Sequence, residues 1–318
     1  MHPVTPAGAL VGRESEMSLL TGMVKEVSLG RGSALLIEGE PGIGKSALVR
    51  AAMADAPDAS YQVFWGAGDE LGQELPLLPF LDGLRVREPS PNPRRETIVR
   101  LLRGEAAADR GSDVPAVLAE QLLALVTEQC AVRPVVLVID DLQWADPASV
   151  ALWGRLTRSA RQVPLLLVGM MRPPLREDLM ALRRVVGDQG RLQLGGLAGP
   201  AVADLVEAMA GGRPGESLLR LADGAAGNPL YVTELVAALA RASSLTVSEA
   251  GAAELAGDTA PRSLSAAIAD RLGFVTRPVR DVLRAAALLG VDFTVSDLAV
   301  VLNRGVAELV RDIDEACA

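Results

Sequence analysis

Eight residues constrain this 318-residue chain more than any other stretch: Gly39-Glu40-Pro41-Gly42-Ile43-Gly44-Lys45-Ser46. They fit the spacing G-x-x-x-x-G-K-[ST] in full. Glycines let backbone N–H groups converge where a Cβ would collide, and a helix starting at the same place adds a positive dipole end. That combination grips phosphate. Lys45 then reaches the outer phosphates, and the Ser46 hydroxyl completes a divalent-cation site. The flanks are right: an apolar strand, Ala34–Glu38, precedes the loop, and a helix, Lys45–Ala54, follows it. The stretch is read as a nucleotide site, with Gly39, Pro41, Gly42, Ile43, Gly44, Lys45, Ser46 and Ala47 around the phosphates.

Glu14–Ser28 reads as a helix with Leu20, Met23, Val24 and Val27 on one stripe. Further strands are expected at Tyr61–Gly66, Val135–Ile139 and Leu165–Met170, with a fifth candidate at Leu192–Leu194. Continuous apolar strands separated by helical segments describe a parallel sheet covered by helices, the α/β architecture of a P-loop NTPase. Between the second and third strands, Gly68–Asp113 is irregular and Pro-rich and holds the paired Arg94 and Arg95. It reads as a surface excursion with a short helix, Thr97–Arg103, or as a regulatory lid or partner surface.

A phosphate loop needs an acidic partner on a neighbouring strand, and Val135–Ile139 runs into Asp140 and Asp141. Asp140, at the strand end, is the expected Mg²⁺ ligand together with Ser46. Asp141 is expected to orient or deprotonate the attacking water, or else to cap the loop that follows. Arg172 follows the fourth strand at the same sheet edge, where ligands gather in parallel sheets. It is either a γ-phosphate sensor or an ordinary surface arginine.

Composition narrows the chemistry. Lys25 and Lys45 are the only lysines in an Arg-rich chain, so Lys45 stands out, while Lys25 sits on a solvated helix face. Two cysteines, Cys130 and Cys317, and one histidine, His2, exclude a Cys/His zinc cluster, a disulfide framework and an internal histidine base. A net charge of −9 argues against this segment gripping nucleic acid by itself. Neither a secretory leader nor a membrane span is read, so a cytoplasmic location is expected.

After residue 197 the strand signal fades into helical patterns at Ala201–Ala210, Glu216–Leu221 and Pro229–Ala242. Ser243–Ala260 reads as a linker. Helices are expected at Ser263–Leu272, Pro278–Leu289, Ser296–Leu302 and from Val306 onward, with Ser263 and Ser296 as N-caps and Gly290 as a C-cap.

Three blocks in this order carry a resemblance: Leu10-Val11-Gly12-Arg13-Glu14, Asp140-Asp141-Leu142-Gln143-Trp144-Ala145-Asp146-Pro147, and Gly227-Asn228-Pro229-Leu230-Tyr231-Val232-Thr233-Glu234-Leu235. The chain resembles the signal-transduction (STAND) ATPases of the AAA/NB-ARC-like type found in large ATP-binding regulators with a LuxR-type DNA-binding end. The resemblance implies a P-loop domain over 9–197, a helical lid-like subdomain over 198–258 and a partial winged helix over 259–318. It implies ATP/ADP and Mg²⁺ as ligands, Val11 and Gly12 against the adenine, Pro229 packed on the adenine, and Arg172 distinguishing ATP from ADP. Arg13 and Glu14 begin the first helix, and Trp144 is expected to pack beneath the nucleotide domain. The implied function is a slowly hydrolysing switch in a transcriptional regulator, with room for self-association in the ATP state. DNA contacts would lie beyond Ala318, where the resemblance implies further sequence. Two alternatives stand beside it: a motor or loader ATPase that remodels a partner, and the ATPase half of a cyclase- or kinase-linked signalling protein.

Overall fold

The computed structural model describes residues 10–54, 61–70, 72, 75–87, 92–105, 114–174, 176–248, 251–256, 276–289 and 293–317. They divide into two compact units, one of Met1–Ala201 with Asn228–Leu230, the other of Val202–Gly227 with Tyr231–Ala318.

In the first unit, α1 (Glu14–Ser28) opens with Glu14 and Glu16 and closes with Lys25, each charge complementing the helix dipole. Leu20, Val24 and Val27 are buried, and Lys25 is exposed on the other side. There follow β1 (Ser33–Glu38), α2 (Lys45–Ala54), β2 (Gln62–Ala67), α3 (Leu78–Gly83), α4 (Pro93–Leu102) and α5 (Val114–Val132). The unit continues with β3 (Val135–Asp140), α6 (Pro147–Ala160), β4 (Leu165–Met171), α7 (Glu177–Val186) and β5 (Arg191–Gln193). The five strands form one sheet in the order β2-β3-β4-β1-β5, all pairs parallel.

Side chains alternate across that sheet into two cores. Leu35, Ile37, Val136, Val138, Leu166, Val168 and Met170 pack with α1 and α2. Leu36, Leu137, Ile139, Leu165 and Leu167 pack with α3 to α7. Burial on both faces is why these strands read as unbroken apolar runs rather than alternating ones. In register, Glu38 lies beside Met171 and Ile139 beside Gly169, so the phosphate loop, Asp140 and Arg172 all leave the sheet at one edge.

The segment between β2 and β3 differs from the expected surface excursion. Leu77, Phe80, Leu81, Leu84, Val86 and Ile98 are buried in the same core as α5 and α6. The short helix there is Pro93–Leu102 rather than Thr97–Arg103, with Asn92 capping Arg94 and Arg95 N–H groups and Pro93 in its first turn. Prolines that looked like loop punctuation open α3 and α4. Residues 106–113 lie outside the described ones.

In the second unit, α8 (Gly199–Ala210) leads to β6 (Arg213–Pro214), α9 (Glu216–Asp223) and α10 (Pro229–Arg241), both α8 and α10 starting with residues of the first unit. Among the described residues of the expected linker at Ser243–Ala260, two short strands pair instead. Strands β7 (Leu245–Val247) and β8 (Ala252–Leu255) pair antiparallel, and β6 joins β8, so strand structure does continue past residue 197. Thr246 and Val247 suit a strand, and Gly251 closes the turn by donating its N–H to the Ser248 carbonyl at 2.8 Å. Helices α11 (Arg277–Leu289), α12 (Val295–Leu302) and α13 (Val306–Cys317) bury Val282, Ala285, Leu298 and Leu309 together. The N-cap of α12 is Thr294 in a reciprocal capping box with Asp297, not Ser296. The expected helix at Ser263–Leu272, its cap Ser263, the cap Gly290 and His2 lie outside the described residues, as do residues 259–275, 290–292 and 318 of the expected winged-helix region. No described helix is long and apolar enough to cross a membrane.

Candidate functional site

The loop after β1 turns back on itself through Gly42 (φ +74°) and Gly44 (φ +100°), conformations that L side chains rarely adopt. A Cβ on Gly44 would meet nothing within 4 Å, so the concave side of the loop is open at the start of α2. Lys45 is buried, and its ammonium donates to the Gly39 carbonyl at 2.8 Å and the Glu40 carbonyl at 3.1 Å. Burial holds it below the ordinary lysine value; Arg172 pushes the same way, and Asp141, Asp140 and Glu40 oppose. Lys45, Asp140, Asp141 and Arg172 therefore occupy one electrostatic neighbourhood, although they come from three separate parts of the sequence.

The Ser46 hydroxyl donates to Asp140 Oδ2 at 2.6 Å, while Asp140 Oδ1 accepts the Asp141 N–H at 2.9 Å. Burial raises the Asp140 carboxyl above its usual range, opposed first by the bond from Ser46. A buried carboxylate beside a second carboxylate is costly without a cation, and a serine that spends its proton on Asp140 keeps its lone pairs for one. This donor set fits Mg²⁺, which takes one or two protein oxygens and completes its shell with phosphate and water.

Asp141 lies in the left-handed region (φ 50°, ψ 46°), uncommon for a residue other than glycine. It precedes a short 3₁₀ turn, Leu142–Trp144, and its side chain makes no capping bond. Its Oδ1 accepts instead from the Gln143 amide at 2.7 Å. Gln143 Oε1 in turn accepts the Arg172 backbone N–H at 3.1 Å. The Arg172 guanidinium lies over the Trp144 ring, 5.4 Å from its centroid. Trp144 thus supports the arginine.

Three further side chains hold this frame. Arg176 donates to the Gln143 carbonyl at 3.0 Å and the Ala145 carbonyl at 2.7 Å, and pairs with Asp178. Arg13, buried, donates to the Gly195 carbonyl at 2.6 Å and the Ile43 carbonyl at 3.3 Å, tying the end of the phosphate loop to the chain after β5. Its neighbour Gly12 backs onto the methyl group of Ala201, with Val11 half-buried beside it. Asn228, also buried, donates its amide to the Pro41 carbonyl at 2.9 Å, and the Leu230 N–H approaches the Gly42 carbonyl at 3.3 Å. Pro229 lies between them, and Ala47 is exposed on the first turn of α2. Gln143, Arg176, Arg13 and Asn228 were not assigned to the site from sequence. Three of them lie inside the blocks quoted above, but only coordinates show which backbone groups they hold.

Residues 9–168 match the AAA ATPase domain family. The Orc1 protein of Aeropyrum pernix, solved in complex with DNA, superposes with a TM-score of 0.50 at 17% identity, covering 98% of this chain and 84% of that one. A STAND protein with a tetratricopeptide repeat sensor from Pyrococcus horikoshii gives a TM-score of 0.44 at 15% identity over 99% of this chain and 41% of that one. An uncharacterized protein of Rhizobium meliloti (strain 1021) is 24% identical over 221 residues, covering 59% of this chain. The match spans 22% of that relative's length.

Proposed function

Because the chain belongs to the AAA ATPase domain family, we propose that its nucleoside-triphosphate chemistry serves a switch: ATP holds one arrangement, ADP another, and hydrolysis is slow. In this reading Lys45 and the backbone of Gly39–Ala47 bind the phosphates. Ser46 and Asp140 hold Mg²⁺, which when bound spreads the charge developing on the outer phosphate oxygens. Asp141 orients the attacking water, and Arg172 senses the γ-phosphate. Val11 and Gly12 line the adenine, with Pro229 packed on it.

The observation that carries the reading is the seat of Asn228–Leu230 on the phosphate loop. Asn228 and Leu230 hold the carbonyls of Pro41 and Gly42, within the stretch whose N–H groups face the phosphates. A ligand that reshapes the loop therefore changes the footing of this turn, and reciprocally. A DNA-binding output beyond Ala318, as in LuxR-type regulators, and self-association in the ATP state rest on the resemblance of the three blocks.

Calorimetry with ATP and ADP, together with hydrolysis rates with and without DNA, tests the proposal. A switch shows tight binding, a clear ATP-versus-ADP difference and turnover well below about one per second. Sustained turnover well above that rate, stimulated by DNA, overturns the switch in favour of a motor.

A further inference from the structure

The ends of β3 and β4 run side by side as far as Ile139 and Gly169, and beyond that pair no ladder joins them. Asp141 and Arg172 both lie past this point. One side chain joins them. Gln143 donates its amide nitrogen to Asp141 Oδ1 at 2.7 Å and accepts the Arg172 N–H on its amide oxygen at 3.1 Å. The two partners fix the orientation of the amide, because an ionised carboxylate only accepts and a backbone N–H only donates. A glutamate here has no proton to give Asp141, and an apolar residue serves neither partner. Gln143 is itself held, since Arg176 ties down its carbonyl and that of Ala145 at 3.0 and 2.7 Å.

We propose that Gln143 is a positioning residue for hydrolysis, its amide fixing the Asp141 carboxylate against the Arg172 backbone at the open end of the sheet. One carboxylate oxygen is engaged by the amide, and the other remains to hold the attacking water. In this role Gln143 acts through Asp141 rather than on the nucleotide. This inference rests on the hydrolysis reading above, and the test separates the two.

Single-turnover hydrolysis, ATP affinity and melting temperature are measured for Gln143→Met, Gln143→Glu, Asp141→Asn and the double variant Asp141→Asn/Gln143→Met. Gln143→Met keeps the length of the side chain but loses both hydrogen bonds. It is expected to slow hydrolysis about tenfold or more, with ATP affinity held within about twofold. Gln143→Glu keeps the acceptor for Arg172 and loses the donor. Its hydrolysis should slow comparably, while the ATP-to-ADP affinity ratio stays at the parent value. The double variant should be no slower than Asp141→Asn alone, because Gln143 works only through that carboxylate. A merely structural role predicts additive losses and a lowered melting temperature instead.

A parent rate in Gln143→Met, or additive losses in the double variant, overturns the inference. If Gln143→Met does not fold, Gln143→Glu decides by the same rate criterion. A parent protein without hydrolysis removes both the functional reading and this inference. A parent that hydrolyses, with Asp141→Asn inactive and Gln143→Met at the parent rate, removes the inference alone.

Discussion

Ser46 donates its hydroxyl proton to Asp140 across 2.6 Å, joining the first turn of α2 to the end of β3 over 94 residues of sequence. The bond sets the cation side of the loop, and Lys45, one residue earlier, sets the phosphate side. The two can be separated experimentally. Lys45→Ala removes the buried ammonium and should weaken ATP binding by about a hundredfold or more, with or without Mg²⁺, consistent with loss of a charge-assisted contact of roughly 3 kcal/mol. Ser46→Ala should weaken binding only in the presence of Mg²⁺. Calorimetry with and without the metal reads both; unchanged affinity in Lys45→Ala refutes the phosphate role.

The sheet and this pair were legible in the sequence for one reason. A loop that must present N–H groups needs glycine at fixed positions, and strands buried on both faces need apolar runs. Both demands act on neighbouring residues. What the sequence concealed is where side chains reach across the chain. Asp146 looked like part of a motif of unknown purpose, and Leu77 like loop. Similarly, the strand pair of Leu245–Val247 and Ala252–Leu255 hid behind small polar residues that read as a linker, because its strands have only three and four residues.

Asp146 ties the β2–β3 segment to α6. Its Oδ1 accepts the Ser149 N–H at 3.0 Å as the N-cap of α6, while Oδ2 accepts the Leu77 N–H at 3.0 Å. Asp146→Ala removes a helix cap and leaves a buried N–H at Leu77 without its partner. The two losses together amount to roughly 2–4 kcal/mol. A thermal melt should fall by several degrees, and Asp146→Asn, which keeps one acceptor oxygen, should recover part of the loss. A melt unchanged in Asp146→Ala would show that α3 is held by its apolar contacts alone.

Cys130 lies in the same core, on α5, and burial pushes its thiol up to about 12. At pH 8 only about one thiol in ten thousand is then ionised, and the thiolate is the nucleophile. Iodoacetamide should therefore leave Cys130 unmodified in the folded protein and label it in urea. Peptide mass mapping reads Cys130 separately from Cys317. Labelling in native buffer at the rate seen in urea would mean that α5 opens readily.

Arg172 is the remaining residue whose role was open between sensor and surface, and its surroundings suit a sensor. The guanidinium lies over the ring of Trp144, its backbone N–H is held by Gln143, and its charge is felt at Lys45. A guanidinium already stacked on an aromatic face loses less entropy when it meets a phosphate oxygen than a free one does. Arg172→Ala should therefore weaken ATP more than ADP and narrow the affinity difference between them by several-fold. Trp144 offers a second readout, because ATP that draws the guanidinium off the ring should change its fluorescence, and that change should vanish in the variant. If both affinities and the fluorescence response match the parent, the stacking on Trp144 serves packing alone and the γ-phosphate is sensed elsewhere.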